Sequence, residues 1–208
     1  MNRLTNDLMK DGYLRTTSII EAFANVDRIN FVLPELELDA NADVPLPVGY
    51  GQTISQPTTV AIMMELLDPR ENQKILDIGS GSGWTTSLLA YIVGENGKVI
   101  SLERIKELSD FGRKNIRKIK KIGKEVVELY NMDGSLGYAP RAPYDRILVS
   151  ASAREVPQEL KDQLKIGGKL VMPVHNYLHY LEKRGENDFY EEEYPGFSFV
   201  PLISRGSL

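Results

Sequence analysis

Residues 74–93 most narrow what this chain can fold into. Lys74-Ile75-Leu76-Asp77-Ile78 is a short apolar run with strand character, Gly79-Ser80-Gly81-Ser82-Gly83 follows it, and a helix-compatible run then extends from Trp84 to Val93. Strand, glycine turn and helix start in that order leave backbone N–H groups exposed, with no side chain to hold a ligand off the main chain. The spacing also limits the ligand. A dinucleotide fingerprint needs G-x-G-x-x-G or A, and the sixth position here is Trp84, too bulky for close helix–strand packing.

From residue 73 strand and helix patterns alternate. Strands are expected at 74–78, 98–102, 126–130, 144–150 and 169–174, and helices at 84–93, 106–121 and 157–164. Such alternation implies βαβ units and an α/β fold with a parallel, doubly wound sheet. Gly94 to Gly97 and Gly167-Gly168 read as helix-to-strand turns. Beyond Val174 the pattern predicts an antiparallel hairpin, Tyr177 to Lys183 and from Phe189 onward, joined by Gly185-Glu186-Asn187-Asp188. Upstream, Leu4, Leu8 and Met9 share one face of a helix ending at Gly12. Ser18 and Glu21 have capping-box spacing and open a second helix through Ala24. Residues 39–54 read as loop, and Pro57 opens an apolar helix that ends at Asp68-Pro69. With no linker or repeat, one domain spanning 1–208 is expected. It comprises a helical segment and loop (1–56), an α/β core (57–175) and a C-terminal hairpin (176–208), with Ser204 to Leu208 read as a frayed tail without a role.

A chain of 208 residues, 42% hydrophobic, suits one globular domain with appendages. The net charge of −4 provides no global basic field for nucleic acid. Cysteine is absent, which removes disulfides, thiolate ligands and cysteine nucleophiles together. With two histidines and no carboxylate cluster at ligand spacing, no metal is expected. The N-terminus lacks an apolar leader core and no 18-residue apolar stretch occurs, so a cytoplasmic location without a membrane partner is expected. Seven basic residues between Arg113 and Lys124 could track a phosphate backbone. Phe111, Ile116, Ile119 and Ile122 instead give that segment an apolar face, and no aromatics are interleaved for base stacking, so it reads as a solvated helix face.

If the glycine turn holds a nucleoside-containing cofactor, the next strand should end in an acid that accepts from ribose hydroxyls. Glu103 stands there, about 20 residues past the loop; the plainer reading is a helix cap or a pair with Arg104. After the following strand, Asp133-Gly134 occupies another carboxyl strand end, where Asp133 can accept from an adenine amino group and Gly134 leaves room for the ring. The plainer reading is an ordinary Asp-Gly turn. Ser55, in Gly51-Gln52-Thr53-Ile54-Ser55-Gln56-Pro57, reads either as an N-cap or as a working hydroxyl. A G-x-S-x-G nucleophile elbow is absent at Ser55 and within the glycine loop, which disfavours a serine hydrolase.

The G-x-G-x-G turn after an Asp-ended strand resembles the loop of S-adenosylmethionine-dependent methyltransferases, although glycine-rich turns recur in many α/β proteins. A longer likeness is more specific. GYGQTISQP before an apolar helix, ILDIGSGSGWTTSLLA, VISLERI, PYDRILVSA, VPQELKDQLKIGGKLVMPV and FVPL occur in order from about residue 10 to 203. Together they resemble the protein-L-isoaspartate O-methyltransferases. That resemblance implies the Rossmann-like methyltransferase fold, S-adenosyl-L-methionine as donor and S-adenosyl-L-homocysteine as product. It implies methylation of the α-carboxylate of L-isoaspartyl residues in damaged proteins or peptides, the ester then collapsing to a succinimide that returns partly to aspartate. By the same resemblance Ser55 is the catalytic serine, and a cofactor-contacting segment begins at Gln52 and runs through Thr53 and Ile54 to Ser55. Asp77, Gly79, Ser80, Gly81, Ser82, Gly83, Glu103, Arg104, Asp133 and Gly134 complete the expected cofactor set. Two positions depart from the family pattern: Thr58, where histidine or an aromatic is frequent, and Ile203, where some relatives carry a contacting threonine.

An isoaspartyl carboxylate is already ionised at pH 7 and can attack a sulfonium methyl unaided. Anion and cation give two neutral products, so a fixed cation beside the carboxylate would stabilise the ground state more than the transition state. A neutral hydroxyl orients without that penalty, and alignment with water exclusion carries the acceleration. The expected enzyme is a monomer that binds its acceptor extended under residues 45–56 and beside 197–203. Rival readings are a methyltransferase for RNA or a small molecule, and a non-catalytic cofactor-binding adaptor.

Overall fold

In a computed structural model, residues 2–203 are described; Met1 and the 204–208 tail lie outside them. Helices α1 (Arg3–Lys10) and α2 (Thr17–Asn25) precede a hairpin of β1 (Leu46–Gly49) and β2 (Gln52–Ile54), and then α3 (Pro57–Leu67). The alternating part follows as β3 (Lys74–Ile78), α4 (Trp84–Val93), β4 (Lys98–Glu103), α5 (Lys106–Ile116), β5 (Val127–Asn131), β6 (Tyr144–Val149), α6 (Gln158–Asp162) and β7 (Leu164–Val174). Two strands, β8 (Tyr177–Lys183) and β9 (Phe189–Pro195), end it.

One seven-stranded sheet has the order β5-β4-β3-β6-β7-β8-β9. Its first five strands run parallel, and β8 and β9 add antiparallel, as the alternation and the hairpin pattern predict. Strand order reverses between β3 and β6, the point at whose carboxyl ends ligands of open α/β sheets collect. Successive β3 side chains serve opposite faces: Ile75 packs with the layer holding α1 to α4, while Leu76 and Ile78 join Tyr144, Ile147 and Leu160. Strands buried on both faces explain why apolar residues stand side by side in them, Ile75-Leu76 in β3 and Ile147-Leu148-Val149 in β6. The second face has thinner cover, from five-residue α6 and the segment around Met132, Tyr138 and Ala142. Gln163 fastens that segment by accepting from Tyr138 N–H at 2.7 Å and donating to the Leu136 carbonyl at 2.8 Å.

Several local expectations are corrected. The second helix begins at Thr17 after N-cap Thr16, not at a Ser18–Glu21 box. Its approach is anchored from α3, where Glu65 accepts from Arg15 N–H, Thr16 N–H and the Thr16 hydroxyl, just ahead of the first helical residue. The 39–54 loop contains the β1–β2 hairpin, since Leu46, Val48 and Ile54 are apolar enough to bury between its turn residues. Helix α5 stops at Ile116 rather than 121, and the chain tightens into i→i−3 turns that tuck Ile119 into the core. Three of the basic groups then tie this segment down: Arg113 to the Leu129 carbonyl, Lys118 to that of Asn30, and Lys121 to Asn25 Oδ1. Lys114, Arg117, Lys120 and Lys124 are exposed. Gly167-Gly168 is a bulge inside β7 and not a turn, because pairing with β6 slips between Tyr144 and Arg146.

Candidate active site

Gly79, Gly81 and Gly83 have φ of 81°, 52° and 88°, the left-handed region in which glycine is unstrained. N–H groups of Gly79 and Ser80 both donate to the Leu102 carbonyl, which hangs the loop on the end of β4. Glu103, only 6% exposed, accepts from Gly81 N–H at 2.9 Å through Oε2 and from Ile105 N–H at 2.8 Å through Oε1. Glu103 therefore ties the glycine loop to the residue that opens α5, without capping the helix itself. Asn131 Nδ2 holds the carbonyls of Glu103 and Arg104 at 2.9 and 3.1 Å.

Loop and α5 meet backbone to backbone. A Cβ at Gly112 would lie 2.8 Å from the Gly81 carbonyl oxygen, and one at Gly83 would lie 3.0 Å from that of Gly112. Asn115, wholly buried, donates from Nδ2 to the Ser82 carbonyl at 3.1 Å. Trp84, which also lines the pocket beside the loop, donates from Nε1 to the Val26 carbonyl and meets Phe23 edge-on with centroids 5.5 Å apart.

One pocket of about 900 Å³, its open mouth included, is lined by every expected cofactor residue except Asp77 and Gly83. Asp133 borders it and accepts from Ser135 N–H at 2.9 Å. Gly134 borders the pocket as well, and its Cβ would press within 2.9 Å of Ile78 and 3.0 Å of Leu102, so the missing side chain also makes room for the strand ends beneath. Two features fit a nucleoside with a polar tail. The Ser80 hydroxyl is buried at the pocket wall without a partner among the described residues, and a Cβ at Gly81 would meet nothing within 4 Å.

Asp77 lies behind the loop. Its Oδ2 accepts from the Thr86 hydroxyl at 2.5 Å, Thr86 lies 3.1 Å from the Ser101 hydroxyl, and Oδ1 is buried without a partner among the described residues. Burial, reinforced by the Glu103 charge and opposed by the Thr86 bond, pushes its carboxyl up to about 7. The folded protein thus holds a proton that the unfolded chain releases near the ordinary carboxylate value of about 3.9. Stability from this group is complete below that value, declines as pH rises toward 7, and is level above it. Compared with Asp77→Asn, wild type is expected to lose stability by up to about 1.4 kcal/mol per pH unit between pH 4 and 7. Denaturant titrations of both proteins at pH 5, 6, 7 and 8 check this; parallel curves would sink it.

Ser55 is not an N-cap. Gln56 holds that position without a side-chain cap bond, and Asp43 caps α3 from the preceding loop instead. Asp43 accepts from Thr58 N–H at 2.8 Å, the Thr58 hydroxyl at 2.7 Å and Gln56 Nε2 at 3.1 Å, and these bonds outweigh partial burial to lower its pKa. The departure at Thr58 is thereby explained by a local partner. Among the described residues no hydrogen bond engages the Ser55 hydroxyl. Thr53, Ser55, Ser150 and Val200 border both this first pocket and a second hollow between α3 and the Pro195–Val200 segment. None of that hollow's lining residues is charged, and Tyr13, Phe197 and Phe199 give it an aromatic side. Ile203 lies on the rim of the first pocket. Sequence reasoning missed Asp43, Gly112, Asn115 and Ser150. Of these only Gly112 left a signal, a glycine inside an amphipathic helix where it weakens the helix without a packing reason.

A nucleoside pocket that shares a wall with a second open hollow suits the transfer of a group between two ligands, and with this loop and sheet it defines a Rossmann-like methyltransferase. A family model described as protein-L-isoaspartate(D-aspartate) O-methyltransferase (PCMT) matches residues 1–207. The chain belongs to that family. It is 46% identical over 208 residues to a protein-L-isoaspartate O-methyltransferase of Methanopyrus kandleri, with 98% of this chain and 91% of the relative covered. It is 41% identical to protein-L-isoaspartate O-methyltransferase 1 of Archaeoglobus fulgidus, with 98% and 93% covered. Among solved structures, a Plasmodium falciparum chain assigned as a beta-aspartate methyltransferase (PCMT), in complex with S-adenosyl-L-homocysteine, superposes with a TM-score of 0.84. The two are 26% identical, and 96% of each chain is covered.

Proposed function

We infer that this chain transfers a methyl group from S-adenosyl-L-methionine to the α-carboxylate of L-isoaspartyl residues in damaged proteins or peptides, a protein-repair reaction. The observation that carries the reading is the position of Ser55, a hydroxyl free of protein partners among the described residues on the wall shared by the two cavities. S-adenosylmethionine supplies an electrophilic methyl on a sulfonium. Glu103 is proposed to accept from the ribose hydroxyls and Asp133 from the adenine amino group, while the glycine loop and Ser80 line the remainder of the ligand. Gly83 and Asp77 act from behind, the first by letting the loop meet α5, the second by fixing α4 beneath it.

Ser55 donates to the acceptor carboxylate and turns one oxygen toward the shared wall. An uncharged hollow suits this chemistry, because charge disappears as anion and cation react and a fixed cation would favour the ground state. The same lack of cations disfavours an RNA acceptor, whose phosphates would call for them. The acceptor chain is proposed to lie extended between Pro45, Thr53 and Gln56 on one side and Phe197 to Val200 on the other, within the expected 45–56 and 197–203 segments. No helix among the described residues is long and apolar enough to cross a membrane, and none of their His, Asp and Glu side chains gather in a group able to hold a metal ion. We place the enzyme in the cytoplasm as a monomer, one unit from 1 to 208, acting on proteins and not on nucleic acid or membrane.

A matched pair of peptides tests the function. With labelled S-adenosylmethionine, the isoaspartyl peptide is expected to acquire a base-labile methyl ester and its aspartyl twin none. Equal labelling of both, or of neither, would overturn the reading.

A further inference from the structure

The hairpin that carries Ser55 is closed at its base by one buried cation. Arg28 is 1% exposed and lies 27 residues before Ser55. Its Nη1 donates to the carbonyls of Ala40 and Ala42 at 3.0 and 3.2 Å. Its Nη2 donates to those of Val44 at 2.9 Å and Ser55 at 3.1 Å, the residues on either side of the β1–β2 hairpin. The guanidinium carbon stands 5.4 Å from the centre of the Trp84 ring, and Trp84 opens α4 and lines the cofactor pocket. One side chain therefore touches the backbone of the acceptor serine and the helix start of the donor loop.

Stability alone is an incomplete account of this arrangement. Burying the charge costs desolvation and Nε has no partner among the described residues, costs set against the four carbonyls that would otherwise lack this donor. What an apolar residue cannot do is fix four carbonyls of one strap at once. A planar fork with five donors can, and an ammonium group cannot match it. Since Ser55 works by orienting a carboxylate, the direction of its backbone sets the direction of its hydroxyl. We propose that Arg28 is a positioning residue for methyl transfer, holding the 40–55 strap so that Ser55 faces the donor. This rests on the function proposed above.

The test uses Arg28→Met, which keeps bulk against Trp84 but has no donors, and Arg28→Lys, which keeps charge and loses the fork. Each is made alone and with Ser55→Ala, with folding followed by circular dichroism. At saturating S-adenosylmethionine, kcat per folded molecule is expected to fall about 10- to 100-fold in Arg28→Met and by a smaller factor in Arg28→Lys. S-adenosylhomocysteine affinity, read by calorimetry, is expected to change less than about threefold. In the Ser55→Ala background the same replacements should lower kcat by less than about threefold, because the group being positioned is gone. Hydrogen exchange should quicken at amides 45–55 while β3 and β4 stay protected. Unchanged kcat in folded Arg28→Met, losses that multiply fully with Ser55→Ala, or unchanged exchange of 45–55 would each overturn the proposal. The exchange arm needs no turnover, so an enzyme inactive on isoaspartyl peptides would defeat the functional reading and still leave the strap measured.

Discussion

Replacing Ser55 by alanine is expected to lower turnover of an isoaspartyl peptide by about 10- to 1000-fold, the range of one lost positioning contact. S-adenosylhomocysteine affinity is expected to stay within about threefold of wild type. The separation follows from the geometry. Ser55 borders the cofactor pocket, but its hydroxyl caps no helix and bonds no protein group among the described residues, so its removal leaves α3 and the strap in place. Asp43 continues to hold Thr58 and Gln56. What disappears, on the proposed function, is the donor that turns the acceptor carboxylate, whose intrinsic reactivity is untouched. Residual turnover well above background is therefore also expected, because carboxylate and sulfonium remain confined side by side. Steady-state kinetics beside calorimetry checks the pair of outcomes. Equal loss of cofactor binding would make Ser55 structural.

Gly112→Ala is expected to weaken S-adenosylhomocysteine binding by about 10- to 100-fold without a matching loss of stability. Two effects oppose each other in the folded state. Alanine favours a helix interior over glycine by about 1 kcal/mol. The added methyl, 2.8 Å from the Gly81 carbonyl oxygen, forces helix and loop apart, and overpacking costs about 1–3 kcal/mol. In stability these partly cancel. In binding they do not, since helix propensity is equal with and without ligand while the displaced loop bears on the ligand alone. Lys114→Ala, at an exposed site two residues on, should leave affinity unchanged. If Gly112→Ala binds like wild type, the contact between α5 and the loop does not shape the pocket.

How much of this was readable beforehand depended on distance along the chain. Each βαβ unit announces itself within about 30 residues, and the loop with Glu103 and Asp133 belongs to successive strand ends, so the sheet, the pocket and most of its lining were legible. Partnerships across longer gaps were not. Asp43 caps α3 from 15 residues upstream of Thr58, and Glu65 anchors the entry to α2 across 49. In each case the acid carries no local mark. Ser18–Glu21 had a local mark and no such role. Gly167-Gly168 misled because glycine pairs serve a bulge as readily as a turn. The apolar positions of β1 and β2 were masked by the prolines and glycines between them.

The last strand carries a consequence for the company this enzyme keeps. β9 forms one border of the sheet, with Glu191, Glu192 and Glu193 in succession along it. An unpaired border is a template for any extended chain, and charged side chains are a means of refusing one. Aged proteins that have lost part of their structure offer many such chains. Glu191 answers Lys161 and Glu192 the Tyr190 and Tyr194 hydroxyls, so this border meets an arriving strand with side chains already engaged and acidic, which discourages casual strand addition.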